Sequence, residues 1–147
     1  MVYIGIDVGA TTIKIGIVDQ HGSILVKDSC LTLVRRGYQA MVDDMVNLSK
    51  KLLSESGHTM ADVHSVGIGI PGSLSPATGL VRNANTQCLN GRALDADLEA
   101  RLRRPVRVSN DANCLALSEA ADGAGAGHGV VFAVIVGTGC GGGVVVD

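Results

Sequence analysis

The chain has 147 residues, 46% hydrophobic and 18% charged, which is enough apolar material for one compact domain, or one and a fraction, and excludes a disordered polymer. Twelve basic and 14 acidic side chains leave a formal charge of -2 scattered along the sequence, so no broad cationic surface awaits nucleic acid or an anionic membrane, and a small-molecule partner is favoured. Apolar runs such as Val130 to Val136 fall far short of the roughly 20 residues of a bilayer-crossing helix, and no secretory leader precedes Val2, so a cytoplasmic location is expected.

Tyr3, Ile4, Ile6 and Val8 open a β-rich run, and Ile13, Ile15, Ile17 and Val18 form a second after the turn residues Gly9 to Thr12. His21 and Gly22 turn the chain again into Ile24, Leu25 and Val26, which predicts a three-stranded antiparallel meander. Met41, Met45, Leu48 and Leu52 then share one face of a helix from about Tyr38 to Ser56, stopped by Gly57, and read as core packing rather than a cofactor site. Val63 to Ile70 is a strand ended by Pro71 and Gly72, followed by a polar loop to about Arg92 that is long enough to carry function. Leu94, Leu98 and Leu102 mark a short helix, Val106 to Val108 a strand, and Asn113 to Ala121 a further helix, giving the order βββαβαβα. Gly123 to Gly129 reads as a flexible connector, Val130 to Val136 as a strand, and Val144 to Val146 as another beyond the glycine-rich segment 137–143.

An internal echo runs through the chain. VYIGIDVGATTIKIGIVD at 2–19 and VFAVIVGTGCGGGVVVD at 131–147 share strand, glycine turn, strand and a final Asp. Two lobes that each open with such a hairpin would present two sets of backbone N–H groups to a polyphosphate. The domain reading is therefore a lobe over 1–125 and, over 126–147, a connector and the start of a second lobe, with the native polypeptide expected to continue.

In the first hairpin, Gly9 permits close approach, Thr11 and Thr12 can donate to phosphate oxygens, and Asp7 could orient a hydrated magnesium ion. The same residues are common in ordinary hairpin turns, so the motif is weak alone. Segment 137–143 formally contains GxGxxG, yet Val144, Val145 and Val146 read as strand where a dinucleotide site needs a helix, so phosphate binding in a hairpin turn by Gly137, Thr138, Gly139 and Gly141 fits better than a Rossmann site, and a solvated glycine loop stays open. Asp111 is the candidate base for taking a proton from a sugar hydroxyl, with Asn110 holding another hydroxyl; the alternative is that Ser109, Asn110 or Asp111 simply caps the helix. Arg101, Arg103, Arg104 and Arg107 read as a solvated helix end, and the dispersed cysteines and histidines supply no metal-ligand spacing.

In order, IGIDVGATTIKIGIVD, GIGIPGSLSPATG, VRNANTQCLNG, VSNDANCLALSEA and VIVGTGCGGG resemble the ROK family of sugar kinases and related repressors over essentially the whole chain, and look most similar to bacterial fructokinases of the manno(fructo)kinase type. The resemblance implies an α/β lobe of the actin-like ATPase (ribonuclease H-like) fold. It implies an ATP- and Mg2+-dependent kinase that phosphorylates a hexose, fructose or mannose, at the 6-hydroxyl, and a homodimer in the full-length protein. It places the sugar on Gly72, Ser73, Asn85, Asn110 and Asp111, with Asp111 at the position of the family's base. Ala10 and Thr12 depart from the family's usual glycine and lysine in the first phosphate motif. The family's Glu/His sugar segment, its cysteine-rich zinc motif and most of its adenosine pocket would lie beyond Asp147, so the chain alone is expected to be inactive. The competing readings are a kinase of another hexose or of an N-acetylhexosamine, and a sugar-sensing repressor, which needs a helix-turn-helix for which nothing before Val2 leaves room.

Overall fold

A computed structural model of the protein describes residues 1–136 and 140–146. Its centre is a five-stranded mixed sheet built from β1 (Val2–Val8), β2 (Thr12–Asp19), β3 (Ile24–Leu31), β4 (Val63–Ile70) and β7 (Val106–Asn110), in the spatial order β3-β2-β1-β4-β7. The meander β1–β2–β3 is antiparallel, whereas β4 lies parallel to β1 and β7 parallel to β4. This is the actin-like α/β lobe that the resemblance implies, its order βββαβαβα interrupted by two short strands in the long loop.

Period-two alternation decides which face is covered. Val2, Ile4, Ile6 and Val8 of β1 and Ile13, Ile15 and Ile17 of β2 are all buried on one face. Across the parallel pair the register shifts between Val2 and Ile4, so that Val63 and Val66 of β4 both stay on the buried side despite their odd spacing. Helices α1 (Gly37–Glu55) and α2 (Leu94–Leu102) cover this face. On α1, Met41, Met45 and Leu52 are buried and Leu48 is partly so, as the helical spacing requires. The helix ends where expected, with Gly57 at a left-handed φ of 75° and His58 N–H returning to the Leu53 carbonyl.

On the opposite face, Gly5 stands in register with Gly16 on one side and Gly67 on the other. Three neighbouring strands therefore present bare backbone there, which leaves a smooth floor beside Asp7.

Several boundaries differ from the sequence reading for physical reasons. Strand β3 runs to Leu31 because its backbone keeps pairing with β2 through the polar stretch Lys27–Ser29, which an edge strand tolerates. The long loop contains a small hairpin, β5 (Ser73–Leu74) with β6 (Val81–Arg82), and one 3-10 turn at Gln87–Leu89. Helix α3 (Asp111–Ala121) starts at Asp111 rather than Asn113, capped by Asn110.

The predicted flexible connector is instead tied to α3. Gly125 N–H donates to the Glu119 carbonyl at 2.9 Å and Ala124 N–H to its carboxylate at 2.7 Å. The second hairpin, β8 (Val130–Val136) with β9 (Cys140–Val146), forms as the internal echo predicts. Strand β9 begins earlier than the valines, so Gly141 to Gly143 lie within it; a Cβ at Gly141 would already touch Ala112 at 3.5 Å, and one at Gly143 would collide with the Ala112 carbonyl. Absent side chains there let α3 lie against the hairpin.

Candidate active site

The parallel arrangement of β1, β4 and β7 aims their carboxyl ends the same way, and in open α/β sheets that is the edge where ligands bind. Asp7 lies at the end of β1 and Gly9 just after it, Pro71 and Gly72 follow β4, and Asn110 ends β7 where Asp111 opens α3. One cavity of about 1090 Å3 is lined by Asp7, Gly9, Asn85, Asn110, Asp111 and Gly141, among others. Six of the residues singled out in sequence thus face a single space, although they come from both ends and the middle of the chain.

The first turn is held tightly. Gly9 N–H donates to the Thr12 carbonyl at 2.9 Å, and a Cβ at Gly9 would stand 2.8 Å from that oxygen, so only glycine fits without displacement. Thr32, buried just after β3, ties the turn from outside: its N–H donates to the Thr11 carbonyl at 2.8 Å and its hydroxyl to the Gly9 carbonyl at 2.9 Å. Nothing in the local pattern pointed to Thr32, because the contact joins residues 23 positions apart. Thr11 and Thr12 belong to this turn without lining the cavity.

Lys14 is a second residue that sequence reasoning passed over. It pairs with Asp7 across the hairpin, its Nζ 3.8 Å from Asp7 Oδ2, and both side chains are largely exposed in the cavity. Arg107 also lines the cavity, while Arg104 donates to the Met60 carbonyl at 2.8 Å and Arg101 pairs with Asp43 at 2.7 Å. The basic cluster is therefore divided among separate tasks rather than forming one solvated end.

At the far side, Asn110 caps α3 by accepting from Ala112 N–H at 3.0 Å and donates through Nδ2 to the Gly72 carbonyl at 3.1 Å. The capping alternative is thus correct for Asn110, and its amide also fastens β7 to the β4 loop. Asp111 Oδ1 accepts from Ala112 N–H at 2.8 Å; among the described residues its other oxygen has no hydrogen-bond partner. Gly72 faces the loop rather than the cavity: a Cβ there would stand 2.9 Å from Ala84 Cα, Ala84 Cβ and the Arg82 carbonyl. Ser73 pairs with Arg82 across the small hairpin, its hydroxyl 3.4 Å from the guanidinium Nε, and it does not line the cavity. Gly137, Thr138 and Gly139 lie outside the described residues.

Cys114 lies on the same wall, where burial pushes its thiol pKa up and the Ser109 hydroxyl opposes that shift. The site combines a tight glycine turn, a carboxylate-ammonium pair beside it, and a second carboxylate on a capped helix start beside amide side chains. Such a set can cradle phosphate oxygens, hold a polyol and accept a proton.

N-acetyl-D-glucosamine kinase of Escherichia coli O127:H6 is 40% identical over 143 residues, 97% of this chain and 46% of that protein. The Citrobacter koseri enzyme of the same name is 39% identical over 145 residues, covering 99% of this chain and 46% of the other. The chain therefore spans about half the length of the curated relatives it matches. Among solved structures, a ROK family glucokinase from Streptomyces griseus in complex with glucose and AMPPNP superposes with a TM-score of 0.86 at 34% identity, covering 99% of this chain and 45% of that one. An inorganic polyphosphate/ATP-glucomannokinase from Arthrobacter sp. strain KM gives 0.83 at 36% identity, covering 99% and 58%. The ROK family model matches residues 3–147, and with that match the chain belongs to the ROK family.

Proposed function

We propose that this chain is the sugar-holding lobe of an ATP-dependent hexose kinase, with residues 126–147 beginning the second, nucleotide-closing lobe. The observation that carries the reading is that the Asp7–Gly9 turn, Asn85 of the loop after β4, and Asp111 after β7 all face one cavity. A sugar bound against Asn85 and Asn110 would offer a hydroxyl to Asp111, which accepts its proton as that oxygen attacks the γ-phosphorus of ATP and the bond from that phosphorus to the β-phosphate oxygen breaks, releasing ADP. The Gly9 turn and Lys14 receive the phosphate tail, and the glycine turn at Gly137, Thr138, Gly139 and Gly141 would close on it from the other hairpin. Asp7 fits magnesium, which is bound through one or two carboxylates plus substrate phosphates and neutralises phosphate charge when present.

Two sugar assignments compete. The GSLSPATG, NANTQCLNG and NDANCLALSEAADGA segments favour fructose or mannose phosphorylated at the 6-hydroxyl, whereas the 40% identity to N-acetyl-D-glucosamine kinases favours an N-acetylhexosamine. Turnover of the full-length protein on fructose, mannose, glucose and N-acetylglucosamine separates them. A sugar-sensing regulator shares the fold alone: a ROK transcriptional regulator superposes at 18% identity. The decisive test is Asp111→Asn in the full-length protein, expected to lower kcat by about 10²- to 10⁴-fold while sugar still binds. Near-normal turnover rejects the kinase mechanism.

A further inference from the structure

We propose that Asn90 is a positioning residue that sets the Asn83–Ala84–Asn85 turn and, through it, the affinity for sugar; the proposal rests on the kinase reading above. Asn83 and Asn85 line the main cavity, and Asn90 does not. It faces a separate hollow of about 580 Å3 on the other side of the turn, lined also by Arg82, Asn83, Asn85 and Gln87.

Asn85 N–H donates to the Pro71 carbonyl at 3.2 Å, and two further bonds to the turn come from one amide. Asn90 Oδ1 accepts from Ala84 N–H at 2.9 Å, and Asn90 Nδ2 donates to the Ala84 carbonyl at 2.9 Å. The side chain thereby meets both polar backbone groups of one residue, as a neighbouring strand would. Ala84 is only 2% exposed, so losing the amide would leave both groups buried and unpaired. Gly72 presses against Ala84 from the opposite side, where even a methyl group would stand 2.9 Å away. Asn83, immediately before, sits at a φ of 55°, a conformation that side-chain-bearing residues keep only when the surroundings hold them. The same scaffold reaches the candidate base, since Asn110 donates to the Gly72 carbonyl at 3.1 Å. Asn90 therefore fixes where two amide side chains stand in the sugar site without touching the sugar.

The test compares the full-length wild-type protein with Asn90→Ala and Asn90→Asp, the latter keeping the acceptor for Ala84 N–H and losing the donor. Asn90→Ala is expected to raise the sugar KM about tenfold, as the loss of two such bonds implies, with the ATP KM unchanged and kcat within about threefold. Asn90→Asp should fall between, and amide exchange at Ala84 should accelerate in the order wild type, Asp, Ala. An unchanged sugar KM in folded Asn90→Ala, or equal rises in both KM values, overturns the proposal; if Asn90→Ala does not fold, the same two results obtained with Asn90→Asp overturn it. Failure of the kinase reading is registered separately by Asp111→Asn, and sugar binding measured by calorimetry then still tests Asn90.

Discussion

Replacing Gly72 by alanine adds a single methyl group at a place where the backbone leaves no space. The new Cβ would stand 2.9 Å from Ala84 Cα, Ala84 Cβ and the Arg82 carbonyl, and these are mainly backbone atoms that cannot rotate away. Either the β6 loop moves off by several tenths of an ångström or β4 bends, and overpacking of this kind costs about 1–3 kcal/mol. For a domain of this size or somewhat larger that corresponds to a fall in melting temperature of about 3–10 °C. The displacement also loosens the Asn110 bond to the Gly72 carbonyl, so the sugar KM should rise alongside. Gly129→Ala is the control, because a Cβ there meets nothing within 4 Å and the backbone is not left-handed. Calorimetric melting and steady-state kinetics of the two variants in the full-length protein give the comparison. Equal melting temperatures and equal sugar KM values would refute the claim that close approach, rather than turn propensity, demands glycine at position 72.

Lys14→Gln removes a cation that pairs only loosely with Asp7 at 3.8 Å, so stability should hardly change, since exposed pairs contribute about 0–1 kcal/mol. Its loss should raise the ATP KM about five- to tenfold with the sugar KM unaltered, and an unaltered ATP KM would remove Lys14 from the phosphate site. Burial raises the Cys114 thiol pKa, so less thiolate is present near neutrality and labelling by iodoacetamide at about pH 7.5 should run slower than for free cysteine, rising as the pH increases. Because Cys114 lines the cavity, bound sugar or nucleotide should slow it further; labelling at the free-cysteine rate, indifferent to ligand, would contradict its placement.

Alternating apolar residues fixed β1, β2 and β4, and the four-three-four spacing of Met41, Met45, Leu48 and Leu52 fixed α1, because period alone separates a half-buried strand from an amphipathic helix. The two hairpins and the strand-to-helix junction at Asn110 were legible for the same local reason. What the sequence could not supply was distance across the fold. The order β3-β2-β1-β4-β7 brings the ends of three separated strands to one edge, and that order follows from which buried faces pack under α1 and α2. Only then do Thr32 reach Gly9, Lys14 meet Asp7 in the cavity, and Asn110 bond to Gly72. Local hydrogen-bonding and packing preferences are written in neighbouring residues. The site depends on pairings between residues far apart in sequence, such as Asp7 with Gly69 and Asn110 with Gly72, which exist only once the sheet has assembled.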